Sequence, residues 1–149
     1  MLFVLVGCQP LDQPRSLPSL DEPYFRCRVQ PILGRSCAAF ACHGDGLRYF
    51  RVFARNRLRM TGKEGDRNAA LSDAERAANF ESALAMIDGD FLLRKPLASE
   101  AGGYFHRGAE IFGEGNVFAD TNDPDYRTLA AWLNGAKEDP ACIEPGSDQ

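Results

Sequence analysis

The chain reads as an all-α protein, a small helical domain broken by long loops. Two segments carry full helix-start signals: Ser72-Asp73-Ala74-Glu75, a capping box, and Asp123 followed by Pro124. A third, from Asp21 onward, places Phe25, Val29, Ile32 and Leu33 on one helical stripe. No run alternates apolar and polar residues as a half-buried strand does, and no internal repeat is present.

At 149 residues the chain is one domain's worth and large enough to bury a core. Hydrophobic residues at 44% and charged residues at 26% are ordinary globular values, which excludes a disordered or membrane-embedded chain. The net charge of −4 excludes a general nucleic-acid binder, whose phosphate contacts need a basic surface.

Residues 1–8 end in Leu5-Val6-Gly7-Cys8, which looks like a bacterial lipobox, with Cys8 as the lipidated residue. The run is shorter than a whole signal peptide and has no basic n-region, so it reads as the end of a leader that starts upstream. Residues 9–22 carry Pro10, Pro14 and Pro18 and read as a stiff tether. The expected location is therefore outside the cytoplasm, lipid-anchored at the periplasmic or outer-membrane surface of a bacterium. The anchor is the only membrane contact expected, since a spanning helix needs about 20 apolar residues.

The folded domain spans 23–142, with 143–149 as a tail. In its first helix Pro31 predicts a kink or a new short helix. Next, "LRYFRVFARNRLRM" spaces Arg48, Arg51, Arg55 and Arg59 at helical intervals, opposite Leu47, Phe50, Phe53, Ala54 and Leu58. A helix there has a basic face, either simply solvated or a docking surface for an acidic partner. "TGKEGDRNAA" is a loop. The helix opened by Ser72 runs to about Asp88 and is closed by Gly89, with Phe80, Leu84 and Ile87 inside and Met86 beside them. Residues 88–121 show no sustained period and contain His106. The last helix runs from Asp123 through Tyr126, Leu129, Trp132 and Leu133 to Gly135.

The chemistry concentrates at "GRSCAAFACHGDG", where Cys37 and Cys42 precede His43. A covalent haem is normally attached at C-x-x-C-H, through two thioethers, with the histidine as axial ligand to the iron. Four residues separate the thiols here, but the Cys-His adjacency is intact and "AAFA" is able to bulge outward. Other uses stay open: a local Cys37–Cys42 disulfide, a zinc site formed with His43 and His106, or a haem site that no longer loads. If Cys8 carries lipid and the motif carries haem, Cys27 and Cys142 remain of the five cysteines. Four cysteines permit three pairings.

"VQPILGRSC" leading into "CHG", then "LLRKPL", "HRGAEIF" and "DPDYRTLAAWLNGA", occur in an order that resembles the planctomycete-type cytochrome c family over about residues 22–136. The resemblance implies a cytochrome c-like helical domain around one covalent haem c. Cys37 and Cys42 would be its thioether residues, His43 its proximal ligand and His106 its distal ligand, with Met86 or Met60 as alternatives to His106. It also implies that the first and last helices cross, bringing Cys27 near Cys142. The implied function is single-electron transfer between redox partner proteins rather than an enzyme activity, at a low to intermediate potential. Arg48, Arg51, Arg55 and Arg59 would be the docking face, also suited to haem propionates. The competing expectation is a haem-free periplasmic lipoprotein interaction module with a Cys37–Cys42 disulfide; a haem sensor or peroxidase-like enzyme is a third.

Overall fold

Asp21 begins the first helix: its carboxylate accepts the Tyr24 N–H at 2.8 Å and Pro23 lies in the first turn. The computed structural model describes residues 19–61, 66–106 and 116–145. Cys8 with its lipobox, the tether up to residue 18, residues 107–115 of the "HRGAEIF" stretch and the end of the tail lie outside the described residues.

Four consecutive segments, Glu22–Tyr24, Phe25–Val29, Gln30–Ile32 and Leu33–Cys37, form one continuous helix, α1. Pro31 neither ends nor breaks it. The turn before it is π-type, with the Gln30 N–H reaching the Phe25 carbonyl, and a fresh α-turn starts at Gln30 with Pro31 in it. The wider turn makes room for the proline ring, which in a regular α-helix strikes the carbonyl four residues back. The expected stripe of Phe25, Val29, Ile32 and Leu33 is buried.

Helix α2, Asp73–Leu84, has the complete capping box between Ser72 and Glu75. It stops short of Asp88, because Met86 and Ile87 turn back tightly onto the carbonyls of Ala83 and Leu84 and Gly89 and Asp90 then adopt left-handed backbone angles. A four-residue helix, α3 (Phe91–Arg94), follows within the stretch expected to be loop; it is too short to produce a readable period. Helix α4, Pro124–Leu133, is capped by Asp123, which accepts the N–H groups of Asp125 and Tyr126, and ends before Gly135 at φ +85°.

Helices α1 and α4 pack in opposite senses. At one end the Trp132 indole donates to the Asp21 carbonyl at 2.9 Å; at the other Arg35 pairs with Asp125. Between them Phe25 meets Trp132 and Phe80, with ring centres 5.1 and 5.2 Å apart. A disulfide joins Cys27 of α1 to Cys142 just beyond α4. The described residues contain no strand, only one isolated bridge between Leu97 and Phe118, and none of their helices is long and apolar enough to cross a membrane.

One expectation is corrected outright. Residues 47–60 are not helical but an irregular, largely extended segment. Val52, Phe53 and Ala54 are buried in succession whereas Leu47 is 94% exposed, the reverse of a helical stripe. Asn79 of α2 substitutes for a strand partner: its side-chain oxygen accepts the Phe53 N–H and its NH2 group donates to the Phe53 carbonyl, both at 2.8 Å. The four arginines therefore share no face. Arg59 is buried against Glu75, Arg51 is exposed, Arg48 donates to the Ala41 carbonyl, and Arg55 lines a cavity elsewhere.

Candidate functional site

The last turn of α1 delivers Cys37, and the next six residues return the chain to it. His43 donates its N–H to the Cys37 carbonyl at 3.0 Å, and Cys42 and Gly44 donate to the carbonyl of Ala39 at 2.8 and 2.9 Å. The inserted residues between the cysteines form a turn from which Phe40 projects, 76% exposed. The extra length thus goes outward and the Cys42-His43 adjacency is undisturbed. Gly44 makes the tight return possible, since a Cβ there would lie 2.1 Å from the Ala38 carbonyl oxygen.

His43 Nδ1 lies 2.8 Å from the Phe50 carbonyl oxygen. A carbonyl only accepts, so Nδ1 carries the proton and Nε2 presents its lone pair, the tautomer a metal-binding histidine needs. Burial lowers the His43 pKa and the positive charge of Arg48 adds to this, although the Phe50 bond works against them. The net result is a neutral ring near pH 7. The segment carrying Phe50 is itself anchored by the Val52 N–H on the His43 carbonyl, 2.7 Å.

His106 comes to the same place from far along the chain. Its ring is parallel to that of His43 within 10°, with centres 5.9 Å apart. That separation falls within the range of offset-stacked rings, and it is also near the roughly 6 Å expected of two imidazoles that share one metal ion, given metal–nitrogen bonds of roughly 2 Å. Both histidines line a cavity of about 220 Å³ whose walls are apolar, built from Ile32 and Leu33 of α1, Leu92 of α3, Phe118 and Leu129. Cys37 and Met86 line it as well. Met60 does not: its side chain is 48% exposed and its backbone N–H is bound to Glu75.

The approach of His106 is controlled by the end of α3. The Arg94 carbonyl accepts the Tyr104 N–H at 2.6 Å, its guanidinium donates twice to the Gly102 carbonyl and lies over the Tyr104 ring, and Lys95 Nζ donates to the Phe105 carbonyl at 3.1 Å. Sequence reasoning found neither Arg94 nor Lys95 as supports of the site, because contacts to backbone carbonyls leave no motif. Replacing Lys95 with methionine, which keeps the stem and removes the donor, is expected to loosen the His43–His106 geometry without unfolding the protein. Broadened or shifted His106 ring resonances at unchanged thermal stability would be its signature.

Cys37 and Cys42 are free thiols, while Cys27 and Cys142 are joined. Burial pushes the Cys37 thiol up to about 12, with Cys42 adding to the effect, so it stays protonated rather than acting as a thiolate. Alkylation of the unreduced, denatured, haem-free protein is expected to label Cys37 and Cys42 and leave Cys27 and Cys142 untouched, read by peptide mass mapping. Among the described residues no group of three or more His, Cys, Asp or Glu gathers as a metal site would. Arg48 donates through Nη2 to the Ala41 carbonyl at 3.4 Å, while its Nε is buried without a hydrogen-bond partner among the described residues.

Compared with known proteins, the chain matches no family model, no curated protein and no solved structure.

Proposed function

We propose that the chain is a monohaem c-type cytochrome of the planctomycete-type cytochrome c kind, lipid-anchored through Cys8 outside the cytoplasm, carrying single electrons between partner proteins. One observation carries the reading: two parallel imidazoles, His43 and His106, with centres 5.9 Å apart, line one apolar cavity together with Cys37. The other residues fit the group. Two free thiols, Cys37 and Cys42, precede His43 in the chain, and Cys37 lines the cavity with it; the Arg48 Nε donor suits a propionate.

Bound there, the haem iron would supply one-electron redox chemistry. His43 would hold the iron from one side, its Nε2 kept available by the Phe50 carbonyl. His106 would hold it from the other side, positioned by Arg94 and Lys95. The Cys37 and Cys42 thiols would hold the haem covalently, as thioethers. Ile32, Leu33, Leu92 and Phe118 would exclude water, and with both histidines holding the iron the site would suit a carrier rather than an enzyme. Two histidines in place of a histidine–methionine pair favour a low to intermediate potential.

The test is a visible spectrum of protein exported by a host with haem-attachment machinery. A Soret band that survives denaturation and comigrates with the polypeptide is the expected result, and His106→Ala should convert the low-spin spectrum to one that binds added imidazole. A polypeptide without porphyrin mass would refute the reading and favour the haem-free interaction module; an unchanged spectrum in the variant would remove His106 as ligand and point to Met86.

A further inference from the structure

Helix α1 lines a second cavity on a different face, of about 340 Å³, larger than the first and of mixed polar and apolar lining. Gln30, Pro31, Gly34 and Arg35 of α1 form one wall; Arg55 and Arg57 form another. Such a volume lies within the roughly 300–1,000 Å³ of small-molecule sites. We propose that it is a binding site for a small molecule bearing an oxyanion group, phosphate or carboxylate, a proposal that does not rest on the haem reading.

The first ground is charge. Three guanidinium groups border the cavity, and only Arg35 has an ionic partner, Asp125. Arg55 and Arg57 have none among the described residues. The acid that reaches the cavity, Glu144, is engaged elsewhere: its carboxylate accepts from Arg76 Nε at 2.8 Å. Among the described residues the cavity therefore retains positive charge on Arg55 and Arg57, donors whose planar forks suit oxyanions. The presentation is ordered, since the turn between the two arginines is closed by the Arg57 N–H on the Ala54 carbonyl and by left-handed Asn56, whose N–H is bound to the Arg67 carbonyl at 2.7 Å.

The second ground is independent of charge. Gln30 is only 2% exposed, yet its NH2 group has no hydrogen-bond partner among the described residues. Its orientation is not arbitrary. The Phe53 N–H fixes which end of the Asn79 amide is oxygen, so Asn79 turns its nitrogen to Gln30, 2.9 Å from the Gln30 side-chain oxygen. The amide nitrogen of Gln30 is then left over, on a side chain that lines the cavity. That nitrogen is not sealed from solvent, so on the cavity wall it is free to donate to a bound acceptor.

Calorimetric titration of the whole chain with inorganic phosphate, and separately with citrate, tests this at low salt. We expect one site for at least one of the two, weakened tenfold or more in the Arg55→Gln/Arg57→Gln double variant, with the thermal stability of the protein unchanged. Which titrant binds distinguishes a phosphate from a carboxylate ligand. Gln30→Met should weaken binding as well; if burial makes that variant unstable, the arginine pair alone decides. Absence of binding of either anion, or binding unaffected by the double arginine change, overturns the proposal.

Discussion

Exchanging Glu75 for alanine is expected to lower the stability of the domain by about 3–5 kcal/mol, the usual cost of stranding one member of a buried ion pair. Glu75 is only 1% exposed and does two jobs. Its carboxylate closes the capping box by accepting the Ser72 N–H, and it also receives Arg59 through two bonds of 2.8 and 2.9 Å and the Met60 N–H at 2.9 Å. Arg59 spends its remaining donors on the carbonyls of Asp66, Arg67, Ala69 and Ala70. Loss of the carboxylate thus leaves a buried guanidinium uncompensated and unties the loop before α2. Chemical denaturation at pH 7 measures the loss. The replacement of both partners by apolar residues, Arg59→Met with Glu75→Leu, should recover part of it; equal destabilisation by the single and double changes would show that the charge pair is not the cause.

The same pair sets an acid limit. Burial by itself raises the Glu75 carboxyl, but Arg59 and the Ser72 and Met60 N–H groups outweigh it and bring it down to about 2. A carboxyl depressed in the folded state contributes its stability above the ordinary carboxylate value and loses it as pH falls toward the folded one. Stability should therefore decline between about pH 4.5 and about pH 2, and Glu75→Gln should flatten that part of the profile.

The second large effect belongs to the Cys27–Cys142 disulfide. Its cysteines are 115 residues apart, and in the chain-entropy model closing so long a loop stabilises by about 4–5 kcal/mol. Cys27→Ala with Cys142→Ala should lower the melting temperature strongly, and reduction of the unsubstituted protein should reproduce the shift. A melting temperature insensitive to both would mean that the ends stay together by other contacts, for which the Trp132–Asp21 bond and the Arg28–Glu138 pair are the candidates.

The fate of the arginines shows where sequence reasoning stops. Arg48, Arg51, Arg55 and Arg59 have helical spacing, but spacing is only a condition for a helix and does not report what else competes for the backbone. Here Asn79 takes both backbone groups of Phe53, and Glu75 draws Arg59 inward. Glu75 was legible as a capping residue because its Ser72 partner is three positions away; its tie to Arg59 was not, because no pattern links them.

What the chain's order of residues determined by itself is local. Asp21, Ser72 with Glu75, and Asp123 with Pro124 start helices whose unpaired N–H groups lie within four residues of the side chain that satisfies them, so the contact forms whatever the rest of the molecule does. The Cys42-His43 adjacency is likewise a property of neighbours. The tertiary structure decided which thiols are joined, which arginine is buried, and that His43 and His106 stand parallel on one cavity. Those outcomes depend on burying apolar surface from distant segments together, and the path of the connecting loops, not the spacing of residues along them, sets which polar groups meet once water is excluded.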